Sequence, residues 1–151
     1  MRREAFLVLV LGFSPGAWAD CPWTGTWVLR PAPKHPSTLS MTAEGVGPGC
    51  RLTYTMVGKD MPKTAIATID LTFDGRDVRT MSNGKPTGQT MAVKMLDTHH
   101  YFTVMKYDGK QTGTVKSELS ADGSILKSEI DTTVDSLNGP VGKTVQYWDK
   151  R

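Results

Sequence analysis

Cys21-Pro22-Trp23-Thr24-Gly25-Thr26-Trp27-Val28-Leu29-Arg30 is the stretch that decides the fold of this chain. It holds two of the four tryptophans and one of the two cysteines. Side chains alternate between the two faces of a strand, so a strand here gives four of these residues one common face: Trp23, Gly25, Trp27 and Leu29. Gly25 leaves room beside Trp27 for a large indole to lie against a neighbouring strand. The pattern predicts a plug at one end of a β-barrel or β-sandwich.

The residues before this stretch have the pattern of a secretory signal peptide. Arg2 and Arg3 give a positive start, residues 5–13 form a short apolar run, and Ala17-Trp18-Ala19 is a small-x-small cleavage site. The apolar run is about half of the ~20 residues that a membrane-spanning helix needs, which disfavours an uncleaved anchor. We therefore predict that residues 1–19 are removed and that the protein is periplasmic or secreted.

The predicted mature chain, residues 20–151, is long enough for one domain with a sizeable core. Cys21 and Cys50 form an even pair in an exported protein, which predicts a disulfide rather than two free thiols. A lipid anchor on Cys21 is the alternative, but Asp20 just before it fits the lipidation signal poorly. The formal net charge is only +3 and the charges are interspersed. We therefore expect neither a nucleic-acid partner nor a membrane span after signal removal.

Short alternating segments separated by turn dipeptides follow the opening stretch. Residues 31–36 hold three prolines and predict an extended connector. Segments with period-two alternation then cover residues 37–44, 50–57, 64–73, 77–81, 89–96, 99–107, 111–120, 125–134 and 143–150. Asp-Gly and Asn-Gly dipeptides between them favour hairpins, and no stretch sustains a helical apolar period. The sequence predicts an all-β fold: an antiparallel up-and-down meander of about eight to ten strands that closes into a barrel, with a two-sheet sandwich as the alternative.

Gly25-Thr26-Trp27, near the predicted mature start, resembles the Gly-x-Trp motif on the first strand of lipocalin-like (calycin) barrels. In that superfamily a basic residue near the last strand commonly lies over the tryptophan, and Lys150 or Arg151 matches that residue here. The chain from residue 20 onward is also similar to a set of small, largely uncharacterised exported bacterial proteins of lipocalin-like type. The similarity lies in the Gly-x-Trp start, the proline-containing connector, the Asp-Gly hairpins and the aromatic-rich last strand. The resemblance implies a single lipocalin-like barrel over residues 20–151.

Methionine is unusually frequent on the predicted strands, and this is the most informative feature of their composition. It is flexible and polarizable, so it suits an adaptable apolar cavity, although it also serves as simple core filler. A barrel of this size either fills its interior or holds one small ligand. We predict a ligand-binding interior made by seven residues: Trp27, Tyr54, Met56, Met91, Met95, Phe102 and Met105. Phe102 and Met105 point to opposite faces of one strand, so only one of the two can belong to this set.

Residues with catalytic or metal-binding chemistry do not converge in the pattern. His99 and His100 are adjacent in a strand, so they point to opposite faces and do not readily bind one metal. Glu118, Glu129 and Asp131 share their strand faces with lysines, which is typical of a solvated outer face. The sequence lacks Gly-x-Ser-x-Gly, phosphate-loop and Cys-x-x-Cys motifs. We therefore expect a non-catalytic protein without a cofactor or a metal, and hold a catalytic barrel as a third hypothesis.

The leading functional hypothesis is an exported, non-catalytic binding protein that holds a small apolar or amphipathic molecule in the barrel interior. The second is a protein-binding module, such as an exported protease inhibitor, because small lipocalin-like barrels with one disulfide act as inhibitors in bacteria. Its reactive segment would be the mature N-terminus or the Pro31–Pro36 connector. An empty apolar interior favours the first hypothesis, and a filled core favours the second.

Overall fold

Ten antiparallel strands form a closed barrel in the computed structural model, which describes residues 21–30, 38–57, 64–134 and 141–151. Each strand pairs with its neighbours in sequence, and the first pairs with the last. The strands are β1 Gly25–Leu29, β2 Thr38–Val46, β3 Gly49–Val57, β4 Thr64–Leu71, β5 Asp74–Ser82, β6 Lys85–Met95, β7 His100–Tyr107, β8 Lys110–Leu119, β9 Ile125–Thr132 and β10 Gly142–Lys150. No residue in the described ranges is helical. The predicted all-β, up-and-down barrel is confirmed. The predicted signal peptide and the Pro31–Pro36 connector lie outside the described residues.

Two hairpins turn where the sequence places Asn-Gly or Asp-Gly. Asn83-Gly84 joins β5 to β6, and Asp108-Gly109 joins β7 to β8, with positive φ at all four residues. Two successive residues with positive φ give a turn whose twist matches that of the flanking strands, and Asn, Asp and Gly tolerate this backbone best. These short turns keep consecutive strands antiparallel and adjacent.

The turn between β4 and β5 differs from the sequence prediction. The sequence predicts a strand through Phe73 and a turn at Asp74-Gly75, but the chain reverses at Thr72–Phe73. Phe73 has a φ of 58°, and its ring packs edge-to-face against Trp23 with the centroids 5.2 Å apart. Burial of the aromatic ring offsets the cost of the left-handed backbone. Gly75 instead lies inside β5, beside a register shift.

The opening stretch is a shorter strand than predicted. β1 covers only Gly25–Leu29, and the residues before it form a turn in which the Thr24 N–H donates to the Cys21 carbonyl oxygen at 3.1 Å. Trp23 therefore does not share a strand face with Trp27. Trp23 lies in this turn and its side chain is buried, with its ring in contact with the Tyr101 ring at a centroid distance of 5.0 Å.

Strand direction gives the barrel two different ends. The end that holds the turn at residues 21–24, the Gly47-Pro48 turn and the β6–β7 and β8–β9 loops is called the tryptophan end. The opposite end, called the connector end, holds the Asn83-Gly84 and Asp108-Gly109 turns and the strand termini that flank residues 31–37, 58–63 and 135–140. The buried core cluster includes eight strand residues near the tryptophan end: Trp27, Leu52, Ile69, Leu71, Val93, Tyr101, Leu126 and Trp148. The core therefore closes one end of the barrel.

Candidate ligand site in the barrel interior

Trp27 is the centre of the closed end. Its side chain is fully buried, and its Nε1 donates a hydrogen bond to the Trp23 carbonyl oxygen at 2.7 Å. The Lys150 ammonium lies 5.6 Å from the centroid of the Trp27 ring, which is within cation–π range. The resemblance to calycin barrels implies a basic residue over this tryptophan, and that residue is Lys150 rather than Arg151.

Gly25 makes room for this lysine rather than for an indole. An ideal Cβ on Gly25 would lie 2.6 Å from Lys150 Cε, and the φ of Gly25 is +132°, a conformation that other residues rarely adopt. The Gly-x-Trp spacing therefore has a physical reason here. The glycine lets the last strand lay its lysine across the buried ring two residues further along β1.

The predicted Cys21–Cys50 disulfide is confirmed. Both cysteines are buried, and the bridge ties the turn before β1 to the start of β3 across 29 residues of sequence. A crosslink that closes a loop of this length contributes roughly 3–4 kcal/mol in the chain-entropy account. The tryptophan end is thus held by aromatic packing and by a covalent bond together.

On β2 and β3, inward-facing side chains become less buried toward the connector end, although Thr80 on β5 and Met105 on β7 stay buried. On β2 and β3, Met41 is buried, whereas Leu39, Tyr54 and Met56 on the same inward face are only partly buried. Met91 on β6 is also partly buried, and it faces inward opposite Val78 and Met105. A closed barrel shields its inward face from bulk solvent, so partial exposure at inward positions indicates space within the barrel.

A band of hydroxyl groups forms the polar part of the inward face. Thr103 on β7, Ser117 on β8 and Ser128 on β9 all lie on the inward side of their strands and are buried. The Oγ atoms of Ser117 and Ser128 are 3.2 Å apart and share one hydrogen bond. Thr80 on β5 is also buried and inward-facing, but its Oγ1 has no hydrogen-bond partner. The predicted interior set does not include this band, although Ser and Thr at otherwise apolar positions of the alternation are its signal in the sequence.

Tyr54 adds a neutral phenol to the same interior. Burial raises the pKa of Tyr54 to about 12, so the hydroxyl stays protonated throughout the neutral range. Its ring meets Trp148 edge-on, with the centroids 6.2 Å apart. Tyr54 therefore stands at the boundary between the packed core and the less filled half of the barrel.

Six of the seven residues predicted for the interior lie on inward strand faces: Trp27, Tyr54, Met56, Met91, Met95 and Met105. They are not equivalent, because Trp27 belongs to the packed core and Met95 lies at the tryptophan end of β6. The assignment of Phe102 to the interior is wrong. Tyr101, Thr103 and Met105 occupy the buried face of β7, so alternation turns Phe102 outward. The role of the other six residues in binding stays a prediction.

Phe102 instead belongs to an open depression on the outer face of the barrel. This depression has a volume of about 220 Å³ and also contains Leu96, His100, Lys116, Glu118, Lys127 and Glu129. Its outer wall therefore alternates charged groups with two apolar side chains, as a solvated sheet surface does. The predicted outward position of Glu118 and Glu129 is confirmed, and Lys127 Nζ lies 2.9 Å from Glu129 Oε1.

Asp97 and His100 form the most enzyme-like pair in the described residues. The Asp97 carboxylate accepts hydrogen bonds from the backbone N–H groups of His99 and His100, at 2.8 Å each, and lies 2.9 Å from His100 Nδ1. These bonds, led by the His99 N–H, hold the pKa of Asp97 below its usual value, so the carboxylate is ionised at neutral pH. The nearby Ser117 hydroxyl faces inward toward Ser128, on the other side of the sheet. The pair therefore fixes the β6–β7 loop without an adjacent serine to activate.

Within residues 21–30, 38–57, 64–134 and 141–151, no three His, Cys, Asp or Glu side chains come together in a way that could hold a metal ion. Nor does any helix in those ranges have the length and apolar character needed to cross a membrane. No protein-family model matches the chain, and neither a curated protein nor a solved structure shows significant similarity to it.

Proposed function

We propose that this chain is an exported, non-catalytic binding protein of lipocalin-like type, which holds one small apolar or amphipathic molecule in the connector-end half of its barrel. The observation that carries this proposal is the partial burial of inward side chains there, at Leu39, Tyr54, Met56 and Met91. Thioether side chains adapt to varied shapes, so methionine is better suited to the wall of a cavity than to a rigidly packed core.

The difference between the two ends of the barrel supports entry of the ligand from the connector end. Trp23, Trp27 and Tyr101 fill the tryptophan end, and the Cys21–Cys50 disulfide fastens the turn that covers it. The connector end has no comparable cluster of buried aromatic residues among the described residues. A ligand would therefore pass between the strand ends of the connector end and stop at the aromatic core.

Two further features support the exported and non-catalytic parts of the proposal. A disulfide persists in oxidising compartments, and the N-terminal sequence has the pattern of a secretory signal. The Asp97–His100 pair lies on the outer face and serves the β6–β7 loop. The lipocalin-like assignment rests on the Gly25, Trp27 and Lys150 arrangement and on the barrel topology.

A titration with N-phenyl-1-naphthylamine, a neutral apolar fluorophore, tests the proposal. We expect saturable binding with about one site per chain. Met56→Lys places a charge on the inward face and should weaken binding at least tenfold, because an unpaired charge in an apolar site is strongly disfavoured. Phe102→Lys is the matched control on the outer face and should leave the affinity within about twofold. Absence of saturable binding, or equal loss in both folded variants, would contradict an interior site.

A further inference from the structure

Among the residues that the structure describes, the inward face of the barrel carries no charged side chain between its two ends. Along the described strands, the charged side chains lie on outward positions or at the strand ends, as for Lys94, Lys116 and Glu129. By alternation Lys150 belongs to the inward face of β10, but its ammonium lies over Trp27 at the tryptophan end. An ionised group between the described strands would lose its hydration without meeting a counter-ion among their inward side chains.

Neutral hydrogen-bonding groups are present in the same space. The buried hydroxyls of Thr80, Thr103, Ser117 and Ser128 face inward, and each can both donate and accept a hydrogen bond. Ser117 and Ser128 already share a hydrogen bond, whereas Thr80 Oγ1 is enclosed and unpartnered. Buried polar atoms are nearly always paired in native proteins. Three atoms of the described side chains are not, Trp23 Nε1, Thr80 Oγ1 and Thr90 Oγ1, and of these Thr80 Oγ1 belongs to the inward face of a strand.

We propose that the ligand is a neutral amphiphile whose polar group is a hydroxyl, carbonyl or amide, and that this group enters the barrel and hydrogen-bonds to the hydroxyl band at Thr80. The inference rests on the proposed function and adds the chemical class of the ligand. The apolar body of the molecule packs against Met56, Met91 and Met105 on the other part of the inward face. An ionised carboxylate head is disfavoured at that position because the described inward residues supply no cation for it between the two ends of the barrel.

Competition between a neutral and an ionised ligand of equal chain length tests the prediction that the interior disfavours an ionised head group. Dodecanol and dodecanoate would each be titrated against the bound neutral fluorophore at pH 8, below the concentrations at which they aggregate. We expect dodecanol to compete at least tenfold more strongly, with the gap narrowing as the pH falls toward the carboxyl group's own pKa. Equal or stronger competition by dodecanoate at pH 8 would overturn the proposal, as would competition by neither. Failure of the fluorophore itself to bind would instead overturn the proposed function, and this inference with it.

A pair of matched threonine variants tests the position of the polar group. Thr80 and Thr90 both carry an enclosed, unpartnered Oγ1, but Thr90 is on the outward face of β6, opposite Arg79. Replacing an unpaired buried hydroxyl by a methyl group of the same shape is nearly neutral or stabilising, so both Thr80→Val and Thr90→Val should fold. We expect Thr80→Val to weaken dodecanol binding about three- to tenfold more than it weakens fluorophore binding, and Thr90→Val to alter neither affinity. Equal dodecanol affinities in the two variants would overturn the assignment to Thr80.

Discussion

At the scale of single residues, Trp27 carries more of the fold than any other side chain named in the opening stretch. It is fully buried, its Nε1–H is satisfied by the Trp23 carbonyl oxygen, and its ring lies under the Lys150 ammonium. Hydrophobic burial, a hydrogen bond and a cation–π contact therefore coincide at one position. A change at Trp27 should disturb the whole tryptophan end.

We expect Trp27→Ala to lower the free energy of unfolding by roughly 3–5 kcal/mol, the range for truncation of a large buried aromatic residue. Urea denaturation followed by circular dichroism measures the change. Lys150→Ala is the matched control, because it removes the cation–π contact and the packing of the lysine stem on Gly25 but leaves the indole in place, and the cation–π contact accounts for about 0.5–1 kcal/mol. A Trp27→Ala midpoint equal to that of the wild type would show that the ring does not plug the barrel.

Residue-level prediction succeeded where one local rule decides the outcome. The Cys21–Cys50 bridge follows from the even cysteine count, and a basic residue over Trp27 follows from the motif, although the motif leaves Lys150 and Arg151 as alternatives. Phe102 shows the limit, because alternation fixes which residues share a face without saying which face is inward. The unpaired hydroxyl of Thr80 is beyond sequence reasoning for a related reason: whether a buried polar atom has a partner depends on neighbours from other strands.

At the scale of elements, the turns divide into those set by their own sequence and those set by packing. Asn83-Gly84 and Asp108-Gly109 turn where the dipeptides predict, because their backbone preference is local. Thr72–Phe73 turns against prediction, because Phe73 gains a buried contact with Trp23 that its own sequence neighbourhood does not reveal. The end of a strand is therefore predictable from the sequence when the backbone preference of the turn residues decides it. It is not predictable when a contact with an aromatic ring distant in sequence shifts the turn.

The β8–β9 turn depends on a carboxylate. Asp122 Oδ1 accepts hydrogen bonds from the hydroxyls of Ser120 and Ser124, each at 2.7 Å, and from the Ser124 N–H at 3.0 Å. These bonds, led by the Ser120 hydroxyl, lower the pKa of Asp122 from 3.8 to about 2. Because the folded-state pKa is the lower one, the unfolded chain takes up the proton first as the pH falls. The stabilising effect of the ionised carboxylate is complete above about pH 5 and is lost between about pH 4 and pH 2.

We therefore expect Asp122→Asn to be less stable than the wild type at pH 6 and to approach it at pH 2. Urea midpoints for both proteins across this range measure the effect, with Ser124→Ala as a graded variant that removes one of the donors. Since Asp122 is exposed, solvent screening keeps the difference small. A stability difference of the same size at pH 6 and pH 2 would contradict a role for the ionised form.

At the scale of the whole molecule, the barrel has a packed end and a less filled end on one continuous inward face. The ten-strand meander and its closure were predictable, because each hairpin signal acts between consecutive strands. The division of the interior was not predictable, because it depends on how deeply each inward side chain lies along the barrel axis. Met91 and Val93 demonstrate this, since they are two residues apart on the same face of β6, with Val93 buried and Met91 only partly buried.

That pair supplies a test of the architecture as a whole. In Met91→Trp the larger ring should occupy space within the barrel, so fluorophore binding should be lost while stability stays within about 1 kcal/mol of the wild type. In Val93→Trp the same ring enters the packed core, where overpacking should destabilise the protein by roughly 1–3 kcal/mol or more. Calorimetry gives the two melting temperatures, and a fluorophore titration gives the two affinities. Equal destabilisation by both substitutions, together with no binding by the wild type, would mean that the interior is filled along its length, and the barrel would then act through its outer surface.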